Sequence, residues 1–130
     1  MIQGIVMLRD KIILKLKERK EELSITYEAI AKRSNIGVAT VKRVFNGDDV
    51  SIGKIEKIVY MLELDDDFKP KISASAMRQK EIEKKANELI SRVIHSSRLE
   101  AQTPSLKVQK MMLQETIKKL STLPNNKVWQ

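Results

Sequence analysis

Apolar residues recur along this chain at spacings of three and four, the period of an amphipathic helix. Leu8, Ile12 and Leu16 draw one stripe along Leu8 to Glu22, whose other face is charged, and predict a first helix. Ile30 and Ala31 mark the inner side of a short helix from Tyr27 to Ser34, and Val41, Val44 and Phe45 mark that of another from Val38 to Phe45. Ser51 stands where an N-cap would open a helix carrying Ile55, Ile58, Val59 and Leu62, with Asp65-Asp66-Asp67 as its stop. Beyond Pro70, Ser75 to about Arg98 carries Ile82, Ala86, Leu89, Ile90, Val93 and Ile94 on one stripe. A last helix is expected from an N-cap at Thr103 with Pro104 as its first residue, bearing Leu106, Leu113, Ile117 and Leu120 and ending before Pro124. The pattern predicts an all-α protein. Residues 1–70 form a small helical bundle, and residues 71–130 follow it as an amphipathic helical hairpin, with Pro70 at the boundary.

The stretch from Thr26 to Gly47 encodes a sharp corner between two of these helices. Thr26 is an N-cap with Glu28 in the favourable first turn, and Ala31 is small enough to let two helices meet closely four places before the turn. Asn35 tolerates a left-handed backbone at that turn, Ile36 is expected to plug it, and Gly37 opens the second helix. Asn46-Gly47 closes it. Once Val41, Val44 and Phe45 pack inward, Val38, Ala39, Thr40, Lys42 and Arg43 are left on the other side.

Those residues carry a resemblance. Thr26 through Gly47 is similar to the helix-turn-helix of the lac-repressor family over 22 of 130 positions, including the small residue, the turn, the A-T-V-x-R segment at Ala39 to Arg43 and the terminal Asn-Gly. Lac-type regulators begin almost directly with this unit and continue into a large sugar-binding domain. Here a helical segment precedes it and a short tail follows, so the whole resembles the Cro and phage-repressor class, the XRE type. Such a likeness implies a sequence-specific regulator that binds double-stranded DNA, most simply a dimeric repressor. In the lac-type unit the equivalents of Val38, Ala39 and Arg43 read bases, and the resemblance implies the same jobs here.

The chemistry of these residues suits those jobs. Val38 and Ala39, at the start of a helix in the major groove, can touch thymine methyl groups, and Arg43 can donate two bonds to guanine O6 and N7. Lys42 stands where the family usually has Ser and adds a base or phosphate contact. Tyr27, Thr40 and Asn46 are placed to hold phosphates.

Charge sharpens the picture. The net charge is +8, but residues 1–70 hold 13 basic against 12 acidic side chains, net +1, while residues 71–130 hold 12 against 5, net +7. The basic excess is therefore in the tail, which needs its own explanation. Three remain open: the stripes complete the core, they form a homodimer interface, or they bind a separate protein such as a toxin, as in antitoxin-like regulators with DNA binding for autoregulation. The dimer is the leading expectation, since two half-sites require two subunits in fixed relation. Met111 and Met112 are expected as ordinary core filler. No enzyme is expected. His95 is the single histidine and is expected at the edge of a packed face, there is no Gly-rich phosphate loop or metal-ligand cluster, and no cofactor is implied. Without cysteine there is no disulfide framework. No apolar run approaches the roughly 20 residues that span a bilayer, and Met1 to Met7 is too short for a signal sequence, so a cytoplasmic protein with no membrane partner is expected.

Overall fold

The computed structural model describes residues 8–99 and 103–130, and the apolar stretch from Ile2 to Val6 lies outside them. Among the described residues there are seven α-helices: α1 (Leu8–Leu23), α2 (Tyr27–Ser34), α3 (Val38–Asn46), α4 (Ile52–Met61), α5 (Ala74–Leu99), α6 (Leu106–Ser121) and α7 (Asn125–Val128). The protein is all-α. It divides into two compact units, one ending at Ala74 and the other spanning Ser75–Trp129.

In the first unit α2 packs on α3 and α4, and α1 packs on α3. Thr26 caps α2 through its hydroxyl, which accepts the Ala29 N–H at 3.1 Å. Asn35 turns left-handed at φ 57° and its N–H returns to the Ala31 carbonyl, so the α2–α3 corner closes on the small buried residue that its geometry needs. Gly37 supplies extended backbone for the start of α3. Gly47 ends that helix at φ 87°, a conformation that glycine adopts without a Cβ penalty. The helix-turn-helix expected from the spacing is thus present, with α2 at its predicted bounds and α3 one residue longer at its C-terminal end.

Several details differ from the pattern. Leu8 is 71% exposed, because the inward stripe of α1 is carried further along by Leu16, Arg19 and Leu23. Arg19 is only 1% exposed. Its Nε donates to the Leu62 carbonyl at 2.9 Å, its Nη2 to the Ile72 carbonyl at 3.0 Å and its Nη1 to Glu22 at 3.2 Å, so the charge is buried with its donors engaged. Ile36 is half-buried, whereas Ile25, just before the α2 cap, is wholly inside. Ser51 occupies the N-cap position of α4, but its carbonyl rather than its hydroxyl receives the first amide bonds. The acidic run is not what ends α4. That helix stops at Met61, the chain turns left-handed at Glu63 (φ 55°), and Asp65 shapes the next turn by accepting the Asp67 and Lys69 N–H groups. A Leu64–Pro70 bridge, the Lys71 N–H on the Glu63 carbonyl and the Arg19–Ile72 bond tie residues 70–72 to the first unit, which therefore runs past Pro70.

In the second unit α5 and α6 run antiparallel. Arg78, near the start of α5, donates to the Asn125 side chain at 2.7 Å and to the Leu123 carbonyl at 2.7 Å, just beyond the end of α6. Helix α6 begins later than the Thr103-Pro104 pair suggests, because the Ser105 hydroxyl takes the Val108 N–H and so claims the cap. The short α7 follows Pro124, and Trp129 behind it is 1% exposed. His95 is exposed rather than at a packed edge. Burial along the α5 stripe is graded: Ile82 and Ala86 are fully covered, Ile90 and Ile94 are half-buried, and Leu89 and Val93 are open. No residue of α6 is buried. Met112 is half-buried and Met111 exposed, so neither is core filler.

Candidate nucleic-acid interface

Helix α3 is strongly two-faced. Val41, Val44 and Phe45 are buried, and the same helical turns carry Val38, Ala39, Lys42, Arg43 and Asn46 exposed on the far side, with Thr40 half-buried between the faces. The nine-residue helix is about 13 Å long at 1.5 Å per residue and roughly 10–12 Å across with its side chains, close to the ~12 Å width of the major groove. Val38 and Ala39 sit at its N-terminal end, the end that reaches base edges when such a helix docks.

Tyr27, the first residue of α2, is half-buried because its ring packs edge to face on Phe45, with centroids 5.3 Å apart and planes at 61°. This contact joins the start of α2 to the end of α3 and brings Tyr27 to Lys42, Arg43 and Asn46. Together with Lys17 of α1, Phe45 and Asp48 they line one open depression. The Lys20 ammonium lies over the Tyr27 ring, 4.4 Å from its centroid. Lys17 and Lys20 were absent from the residues singled out in the sequence. Their spacing of three places them together on the polar side of α1, but nothing in the local pattern says which helix that side borders.

Arg43 Nη2 donates to the Asp49 carbonyl at 3.1 Å, while the Asp49 carboxylate pairs with Arg9 of α1 at 2.5 Å. These bonds lie at the exposed surface, where ion pairs are worth little, so they orient Arg43 without locking it. Asn46 donates to the Asp48 carboxylate at 3.5 Å. Of the seven residues proposed from the sequence, Tyr27, Lys42, Arg43 and Asn46 share this depression. Val38, Ala39 and Thr40 lie on the N-terminal half of α3, outside its lining.

Among the described residues no group of three or more His, Cys, Asp and Glu side chains is arranged to hold a metal ion, and no helix is long and apolar enough to cross a membrane. A scan of protein-family models, a search of curated proteins and a search of solved structures each found no match to this chain.

Proposed function

We propose that the protein is a sequence-specific double-stranded DNA-binding transcription regulator of the cytoplasm, a repressor acting as a dimer and belonging with the XRE-type, Cro-like regulators. It is a binding protein, not an enzyme, and needs no cofactor. The observation that carries this reading is the two-faced α3: an apolar side held by the first unit and an outer side of Val38, Ala39, Lys42 and Arg43. Val38 and Ala39 meet thymine methyl groups, Arg43 reads guanine, and Tyr27, Thr40 and Asn46 hold phosphates, with Lys42 on a base or a phosphate. Sequencing duplexes that the full chain retains from a random pool tests it. A recurrent site is expected, and retention without sequence preference overturns it.

The dimer rests on the second unit. Leu89, Val93, Leu99, Leu106, Val108 and Met111 are exposed on α5 and α6, apolar side chains that a second copy of the hairpin would cover. The same observation favours a second reading, an antitoxin-like protein whose C-terminal helices bind a partner such as a toxin, with DNA binding for autoregulation. Light scattering of the purified chain alone separates the two, since only the first predicts a dimer without a partner.

A further inference from the structure

We propose that Lys17 of α1, with Lys20 beside it, forms a phosphate clamp that grips the DNA backbone next to the groove occupied by α3. This rests on the DNA-binding reading and adds to it a helix outside the helix-turn-helix. Lys17 lines the depression that holds Tyr27, Lys42, Arg43 and Asn46, and it also lines the neighbouring one beside Asn46 and Gly47. It therefore stands on the ridge between two hollows at the C-terminal end of α3. Among the described residues neither Lys17 nor Lys42 has an ion-pair partner within 4.0 Å, so both ammonium groups are unspent. Lys20 is placed by the Tyr27 ring at the first turn of α2, where the helix dipole adds positive potential.

The acids at these hollows are Asp48 and Asp10. Asp48 already accepts from Asn46, and Asp10 borders only the second hollow. The first hollow thus presents the ammonium groups of Lys17 and Lys42 against a single carboxylate, with the Tyr27 ring as its wall, while Arg43, which also lines it, is the side chain assigned to guanine. Two ammonium groups facing one carboxylate, with the polar Asn46 side chain beside them, fit a phosphodiester. A clamp here contacts phosphates and reads no base.

The test uses the full chain, a duplex selected by the parent protein from a random pool, and a mixed-sequence duplex of the same length. Lys17→Gln is expected to weaken both duplexes by the same factor, roughly fivefold at 0.15 M salt, and to lower the slope of log affinity against log salt by about 0.9. Lys17→Arg should restore the slope, and Lys17→Gln combined with Lys20→Gln should lower it by about twice as much. The preferred site should not change in any of them. Parent-like melting of Lys17→Gln and Lys17→Arg shows that the fold is kept, as the exposed position of Lys17 on α1 predicts, and the far-ultraviolet circular dichroism of the double variant checks the half-buried Lys20. An unchanged slope for Lys17→Gln, in a chain whose parent binds duplex DNA, overturns the clamp and leaves the DNA-binding reading standing. A shifted site preference also overturns it, by making Lys17 a base contact. A parent chain that binds no duplex overturns both.

Discussion

Arg19 and Leu62 are joined by a 2.9 Å hydrogen bond from a buried guanidinium to a backbone carbonyl 43 residues away, and the same side chain holds the Ile72 carbonyl. One charged residue of α1 thereby ties down the end of α4 and the segment that leads out of the first unit. Its alkyl stem fills core space while its donors satisfy acceptors that burial would otherwise strand.

Arg19→Met, which keeps the stem and removes the donors, should therefore destabilise the protein by about 2–4 kcal/mol, since the Leu62 and Ile72 carbonyls lose a charged partner at a side chain that is 1% exposed. Thermal melting measures it. A variant that melts like the parent would mean that solvent reaches those carbonyls.

Ala31→Glu should disrupt the α2–α3 corner, because a longer charged side chain is forced into a closely packed position that is 6% exposed. The expected loss is several kcal/mol, enough to unfold a marginal domain. Far-ultraviolet circular dichroism across a melt reports it.

Phe45 and Tyr27 separate stability from binding. Phe45→Ala should cost about 3–5 kcal/mol, as a fully buried ring is lost together with its edge-to-face partner. Tyr27→Phe keeps the ring contact and should melt close to the parent, yet it should weaken duplex binding if the hydroxyl reaches a phosphate. Equal affinity for the selected duplex would remove Tyr27 from the interface.

Arg43→Ala should lower affinity for the selected site by about 1–3 kcal/mol and relax preference at a single base position. Lys42→Ala resolves the two roles open to that side chain: an even loss over all sequences with a salt slope flatter by about one unit marks a phosphate contact. Repeating the random-pool selection with each variant reads both outcomes. An Arg43→Ala protein with the parent's site preference would sink the groove assignment.

Val93→Glu with Leu106→Glu, two substitutions at open positions on the hairpin, should keep the parent's helix content, turn a dimer into a monomer and remove the dependence of Tm on protein concentration. Affinity for a duplex with two half-sites about 10 bp apart should fall sharply, while affinity for a single half-site should hold. Light scattering checks the first effect and titration of the two duplexes the second.

The helices and the corner between α2 and α3 were legible because their signals are local. A three- and four-residue apolar period, Thr26 as a cap, Asn35 and Gly47 at left-handed positions and a small Ala31 each act within one or two turns of chain, so the sequence alone determined that the protein is all-α and that α3 turns Val38, Ala39, Lys42 and Arg43 outward. At the start of α6 the pattern points to Thr103 and the chain uses Ser105, since a cap is made by whichever hydroxyl meets an amide in three dimensions. Tertiary structure alone decided the fate of the charges on α1. Arg19 goes inside because its partners come from residues 62 and 72, and Lys17 and Lys20 border Tyr27 because α1 packs on α3. Periodicity can call a face polar, but whether that face meets water, a buried carbonyl or an aromatic ring is set by segments far away in the chain.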